Sequence, residues 1–193
     1  MGRTKEFEPD VALQAALELF WTRGYEATSI ADLVEHLGIG RASIYATFGG
    51  KHELFAKALK RYCAQVDPQI LDDLSQPGPA LPGVKAVVTR FATEAMQDLN
   101  RRGCLVTNTA VELAPHDDEL AKQVQTSWAY LETLLTATLT RARAQGELAP
   151  SAEPRALART LLVFMQGIRV VGKAAATPEV IDDATKHVLT LLA

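Results

Sequence analysis

The stretch "GIGRASIYATFGGKHELF", residues 38–55, places basic and hydroxylated side chains between glycine breaks. Gly38 marks the end of one helix, and "GRASIYATF" is long enough for a helix of about two turns. Gly49 and Gly50 break the chain again, and a longer helix begins at Lys51. The stretch therefore predicts a short helix held between two longer ones.

The segment "ATSIADLVEHLG" directly before it predicts the preceding helix. Ser29 with Asp32 fits a capping box, and Thr28 is the alternative cap. A helix, a glycine turn and a second short helix have the spacing of a helix-turn-helix motif. In that motif the second helix enters the major groove of DNA while the first lies across the backbone. We therefore expect double-stranded DNA as a partner of this part of the chain.

The composition of the short helix suits such a role. Ala42 and Ser43 are small enough for close approach, and Arg41 is long enough to reach a guanine edge or a phosphate. Helix N-termini attract phosphate, and two are predicted, near Ser29 and Lys51. The candidate DNA-contacting residues are Thr28, Ser29, Arg41, Ala42, Ser43, Tyr45, Thr47 and Lys51. The alternative is that this helix belongs to the core and that its charges are only solvated.

The segment "LFWTRGYEATSIADLVEHLGIGRASIYATFGGKHELFAKAL", residues 19–59, resembles the DNA-binding domain of the TetR/AcrR family of bacterial transcriptional repressors. The matching residues follow in order and without gaps: Phe20, Gly24, Tyr25, Thr28, Ser29, Ile30, Gly38, Ser43, Tyr45, Phe48, Lys51, Leu54 and Phe55. The chain departs from the family at Ala46, Thr47 and Gly50, where larger or more polar residues are common. These departures shift the expected weight of DNA binding to Arg41 and to backbone contacts.

Bulk charge does not favour nucleic acid. The 193 residues carry a net charge of −3, and the first 62 residues hold eight basic and eight acidic side chains. Any DNA argument therefore rests on local placement. No apolar run is long enough to span a membrane, the N-terminus lacks the pattern of a secretory signal, and the two cysteines are far apart. We expect a cytoplasmic protein with no membrane partner and no metal site.

Apolar residues recur at helical spacing throughout, and strand-like alternation is almost absent, so we predict an all-α fold of about nine helices. The predicted domains are a DNA-binding domain over residues 1–60, with three helices, and an effector-binding and dimerisation domain over residues 61–193. We expect Pro68 to kink or end the fourth helix. The segment 76–83, "QPGPALPG", is predicted to be a loop.

The last two predicted helices, over residues 155–173 and 178–192, are apolar on more than one side. Such a helix must be covered on more than one side, which predicts pairing with the same helices of a second copy. The candidate interface residues are Leu161, Met165, Ile168, Val180, Val188 and Leu192. The alternative is a larger core within one subunit.

The resemblance implies that the C-terminal part also binds a small-molecule effector. Apolar and aromatic walls with a few polar groups are expected for such a pocket. The candidates are Tyr62, Val66, Phe91, Met96, Cys104, Thr107, Asn108, Val111, Trp128, Leu131 and Phe164. Cys104 follows "NRRG" at a predicted helix start, a setting that favours a reactive thiolate sensor. The alternative is a small buried side chain, which is the usual state of a lone cysteine.

The predicted function is therefore a dimeric DNA-binding transcriptional regulator that needs no cofactor and is not an enzyme. It is expected to act as a repressor that a small-molecule effector releases from a palindromic operator, and a thiol-reactive effector sensed at Cys104 is one candidate. The alternatives are a helical protein that metabolises a small molecule, a metal sensor, and a constitutive architectural DNA binder. Glu112, His116, Asp117 and Asp118 are the acidic and imidazole groups that the enzyme alternative would use.

Overall fold

The computed structural model describes residues 7–174 and 177–192, and in these ranges the regular structure is helical. The nine α-helices are α1 Pro9–Arg23, α2 Ile30–Leu37, α3 Arg41–Phe48, α4 Lys51–Ser75, α5 Leu81–Gln97, α6 Leu105–Glu112, α7 Asp118–Ala144, α8 Pro154–Lys173 and α9 Pro178–Leu189. A short 3-10 helix, Thr190–Leu192, follows. The all-α prediction with about nine helices is confirmed.

The chain divides into two compact units, Met1–Gln65 and Val66–Ala193, and the division falls inside α4. In the first unit α1 packs on α2, and α2 packs on α3. Leu17, Phe20, Leu33, Ile44 and Phe55 are almost completely buried there. The core side chains of α3 therefore set which of its faces remains outside.

The second unit is built around α7 and α8, with α5 and α9 packed against them. Its core includes Val88, Leu135, Leu139, Leu161 and Met165, none of which is measurably exposed. The smaller helix α6 packs on α7. Of the helices in the described ranges, none is both long enough and apolar enough to cross a lipid bilayer.

The helix α4 does not end at Pro68 but continues to Ser75, so of the two predicted outcomes, a kink or an end, the end does not occur. Proline removes the N–H that would bind the carbonyl four residues earlier, here that of Ala64. Both Ala64 and Pro68 are exposed, so water can satisfy that carbonyl. The helix therefore passes through Pro68, since the lost hydrogen bond lies on its solvated side, and the kink stays a prediction.

The loop predicted over residues 76–83 is also shorter than expected, because α5 already begins at Leu81. Pro82 suits the first turn of a helix, where no N–H is needed. The carboxylate of Glu147 accepts hydrogen bonds from the backbone N–H groups of Ala80 at 2.7 Å and Leu81 at 3.1 Å. A distant side chain thus caps a helix start that the local sequence does not mark.

Candidate nucleic-acid interface

The short helix α3 has one buried face and one outward face. Ile44 is completely buried and Phe48 is 4% exposed, so these two side chains fix the helix in the core of the first unit. Five side chains lie outward, while Ser43 is half-buried; the outward residues are Arg41, Ala42, Tyr45, Ala46 and Thr47. An exposed helix face with small residues and an arginine has the form that major-groove recognition needs.

Tyr45 connects this face to the turn that follows it. The guanidinium of Arg41 lies 5.7 Å from the centroid of the Tyr45 ring. The ring also packs close to Gly50, where an added Cβ would lie 3.3 Å from a ring carbon. Gly50 also has a φ of +144°, which side-chain-bearing residues rarely adopt. The glycine that departs from the family pattern therefore makes room for Tyr45.

The N-terminus of α2 is capped by its own side chains. The Ser29 backbone N–H and hydroxyl donate to the Asp32 carboxylate, and the Asp32 N–H donates to the Ser29 hydroxyl oxygen at 3.1 Å. These hydrogen bonds, with Arg23 at 3.2 Å, hold the pKa of Asp32 below its ordinary value. Ser29 is exposed, whereas Thr28 is fully buried and its hydroxyl donates to the Gly24 carbonyl at 2.7 Å. The Thr28 side chain therefore stabilises the fold and does not face outward.

The N-terminus of α4 carries the second basic group of the predicted interface. Lys51 is the first residue of α4, and its Nζ lies 4.0 Å from the centroid of the Tyr25 ring. A positive charge at a helix N-terminus is a suitable place for a phosphate oxygen. Tyr25 was not among the residues predicted for DNA contact, although it follows the Gly24 helix stop and matches the family pattern.

The residues predicted for a dimer interface lie largely inside the single chain. Leu161, Met165 and Leu192 are at most 1% exposed, and Ile168 and Val188 are 5% and 8% exposed. Such side chains have little surface left to bury against a partner. Of the six, only Val180 is well exposed, at 54%. The exposed apolar side chains of α8 and α9 are Val163, Val170, Val171 and Val180, and Leu191 is exposed in the 3-10 helix that follows.

The residues predicted for an effector pocket do not form one group. Phe91, Thr107 and Leu131 are buried core residues of the second unit, and Val66, Met96 and Phe164 pack at the edge of that core. Tyr62 belongs to the first unit, where its ring contacts Trp21 at 5.0 Å. Val111 is 71% exposed, so it lines no enclosed space.

Among the remaining candidates Trp128 is unusual, and two further polar side chains of α7, Gln123 and Thr136, share its feature. Trp128 buries its indole N–H, and no hydrogen-bond partner for it lies within the described residues. Gln123, five residues earlier, buries a side-chain oxygen that also has no partner there. Elsewhere the Thr107 hydroxyl donates to Gln166 at 2.7 Å and Asn108 donates to the Arg102 carbonyl at 2.8 Å. Unpaired buried polar groups gain free energy from a ligand that pairs with them.

Cys104 lies at the N-cap position of α6 and is half-buried, as is Cys63. Its backbone carbonyl accepts the first hydrogen bond of the helix, from the Asn108 N–H at 2.8 Å. Asp117 and Asp118 begin α7, and the Asp117 carboxylate caps it by accepting from the Leu120 N–H at 2.9 Å. No three His, Cys, Asp or Glu side chains in residues 7–174 and 177–192 are grouped as metal ligands would be.

The second unit also contains an ion-pair network that sequence reasoning missed. Arg90 of α5 contacts Asp73 of α4 at 2.8 Å and Glu94 of its own helix at 3.4 Å. Glu94 in turn pairs with Arg169 of α8, whose guanidinium lies 4.6 Å from the Phe91 ring centroid. The network joins three helices across 17 to 75 residues of sequence, a separation that no local pattern reveals.

Comparison with known proteins agrees with this geometry. The family description "Bacterial regulatory proteins, tetR family" matches residues 12–58, and "Tetracyclin repressor-like, C-terminal domain" matches residues 80–188. The HTH-type transcriptional regulator YezE of Bacillus subtilis (strain 168) is 34% identical over 194 residues, which cover 100% of both chains. The HTH-type transcriptional repressor ComR of Escherichia coli (strain K12) is 32% identical over 92% of this chain and 85% of its own.

Among solved structures, a cysteine mutant of the TetR family regulator CifR, complexed with 26-bp operator DNA, has a TM-score of 0.85. It is 30% identical and the match covers 98% of each chain. The present chain belongs to the TetR family of bacterial transcriptional regulators. It is accordingly a helix-turn-helix regulator of transcription and not an enzyme.

Proposed function

We propose that the chain is a repressor that binds a palindromic operator as a homodimer and leaves it when a small-molecule effector binds. Relatives named as repressors, ComR and BdcR, and the operator complex of CifR support this proposal. The observation that carries it is the outward face of α3, with Arg41, Tyr45 and Thr47 exposed above the buried Ile44 and Phe48. Such a protein acts where bacterial DNA lies, in the cytoplasm.

Selection of bound duplexes from random DNA tests the proposal directly. A dimer with two α3 helices about 34–36 Å apart should enrich a palindromic consensus whose halves are one helical turn apart. We expect Arg41→Ala to weaken binding by about 1–3 kcal/mol per contact and to relax one position of each half-site. Lys60→Ala, a charge loss on the exposed part of α4, is the matched control. A chain that enriches no sequence even at low salt contradicts the proposal.

The dimer is supported by the outer face of α8. Val163 is 72% exposed and Val170 48%, and a Cβ added at Gly167 between them would meet no atom within 4 Å apart from nearby atoms of its own helix. These residues recur at helical spacing on the face opposite the core. The inner face of α8 is covered by the core of its own chain. A second copy of the chain could cover the apolar outer face. We therefore assign the subunit contact to these exposed residues, together with Val180 of α9.

The effector site is supported by the unpaired polar atoms of α7. A ligand with a hydrogen-bond acceptor would satisfy the buried indole N–H of Trp128, and a donor would satisfy Gln123. Gel shifts of the selected duplex with a panel of metabolites identify the effector. Trp128→Phe keeps an aromatic ring and removes the N–H, so we expect it to weaken the response to that effector and to leave DNA affinity unchanged. An unchanged response removes Trp128 from the site.

Thiol sensing at Cys104 is a second mode of release, supported by its position at the start of α6. Treatment with an alkylating electrophile such as N-ethylmaleimide should release wild-type protein from DNA. We expect Cys104→Ser to resist this release, while Cys63→Ser, the matched control, remains sensitive. Equal sensitivity of Cys104→Ser and wild type contradicts the sensor.

A further inference from the structure

Tyr25 lies outside the recognition helix α3, but its contact with Lys51 indicates a role for it in the candidate interface. The Lys51 ammonium lies 4.0 Å from the centroid of the Tyr25 ring, over its π-system. This distance is shorter than that from Arg41 to Tyr45 or from Lys57 to Phe48, and it is well inside the range of about 6 Å for an effective contact. The ring therefore holds the lysine charge at a defined place.

The Tyr25 ring is itself immobilised by the core of the first unit. It stacks on Phe20 with centroids 6.1 Å apart and meets Phe55 edge-on at 5.1 Å. Phe20 is completely buried and Phe55 is 1% exposed. Phe55 and Lys51 are four residues apart on α4, so they lie on the same side of that helix. A rigid aromatic cluster thus extends from the core to the Lys51 ammonium.

We propose that Tyr25 is a positioning residue for DNA binding, which fixes the Lys51 ammonium at the N-terminus of α4 to receive a backbone phosphate. A free lysine has several rotatable bonds and loses much freedom when it binds phosphate. A cation already held over a ring has lost part of that freedom before DNA arrives, which strengthens the contact. This inference rests on the proposed function. It adds Tyr25 as a residue that supports DNA binding without contacting a base.

A double-mutant cycle on the duplex recovered by the random selection tests the proposal. We expect Lys51→Gln to weaken binding and to lower the salt slope by about 2, one contact in each subunit. Tyr25→Leu should weaken binding about 5- to 30-fold for the two subunits together. In the Lys51→Gln background, Tyr25→Leu should have no further effect, since the ring acts through the lysine.

The ring electronics separate positioning from packing. Tyr25→Phe keeps the π-face, so we expect affinity close to that of wild type. Ring-fluorinated phenylalanines at the same position keep the volume and weaken the negative face, and affinity should fall as fluorines are added. These variants also preserve the test if Tyr25→Leu fails to fold, as its circular dichroism will show. Lys60→Gln is the matched charge control, with an effect that should not depend on the ring.

The proposal is overturned if Tyr25→Leu weakens binding equally with and without Lys51, because the effect would then be one of packing. It is also overturned if Tyr25→Phe binds as weakly as Tyr25→Leu, because the hydroxyl would then be the contact. Binding that is insensitive to fluorination has the same consequence. If the wild-type protein binds no duplex, the proposed function itself is contradicted. The double-mutant cycle begins only with a wild type that binds DNA, so the two kinds of failure can be told apart.

Discussion

At the scale of single residues, the carboxyl of Asp32 links a local cap to the pH dependence of the first unit. Its pKa lies below the ordinary value of 3.8, chiefly because of the hydrogen bonds from Ser29 and secondarily because of Arg23. A lowered folded-state pKa stabilises the fold above the unfolded value, and this stabilisation is lost as pH falls through the folded value. We expect Asp32→Asn to lower the Tm near neutral pH, with the difference from wild type shrinking below about pH 4.

Thermal unfolding followed by circular dichroism between about pH 7 and pH 3 measures this difference. Glu35→Gln is the control, since Glu35 is an exposed carboxyl on the same helix. A gap between Asp32→Asn and wild type that stays constant across this range speaks against the cap as its source.

A second residue-scale prediction concerns the close approach of α5 to α4 at Gly83. An added Cβ there would lie 2.6 Å from the backbone carbonyl oxygen of Asp73, closer than real contacts allow. Alanine normally favours a helix over glycine by about 1 kcal/mol, but overpacking against backbone costs about 1–3 kcal/mol. We therefore expect Gly83→Ala to destabilise the chain in urea unfolding. Pro82→Ala, at the exposed neighbouring position, should change stability little, and a stabilised Gly83→Ala would show that the helices can separate freely.

At the scale of elements, the start of α5 depends on Glu147, which lies beyond the end of α7. Removing a helix cap costs about 0.5–2 kcal/mol, because backbone N–H groups lose their partners. We expect Glu147→Ala to lower the free energy of unfolding by about this amount, with Glu147→Gln intermediate. Glu153→Ala is a matched control, since Glu153 is the N-cap of α8 and its side chain makes no capping hydrogen bond. Equal effects of the two alanine variants would contradict a specific role of Glu147 as a cap.

The ends of α2 and α5 show which helix boundaries a sequence can predict. The capping box of Ser29 and the helix end at Gly38 were predicted correctly, because their partners lie within four residues. The start of α5 was missed, because its cap lies 67 residues away.

The outward face of α3 could be predicted from a short, well-matched motif. The apolar residues of α8 could be recognised, but not assigned to core or surface, since both faces show helical periodicity.

At the scale of the whole molecule, the two faces of α8 differ, and the proposed dimer gives the outer face a role of its own. Its inner face supplies Leu161 and Met165 to the core of the second unit. Its outer face presents Val163 and Val170 to solvent in the single chain. A dimer built on that outer face joins two copies of the DNA-binding unit, and cooperative contact with both half-sites follows from the joining. The proposed dimer therefore couples oligomeric state to operator affinity.

The coupling leads to the last prediction. Val163→Asp places a charge in the centre of the outer face, and burying it unpaired is strongly unfavourable. We expect this variant to be monomeric in analytical ultracentrifugation, to keep its helical circular dichroism, and to bind the selected palindrome at least about 100-fold more weakly. Binding to a duplex with one half-site should change little. Leu99→Asp is the matched control, since Leu99 is 93% exposed just beyond the end of α5. A dimeric Val163→Asp would move the subunit contact to another surface, and a monomer with full affinity for the palindrome would remove the link between dimerisation and operator recognition.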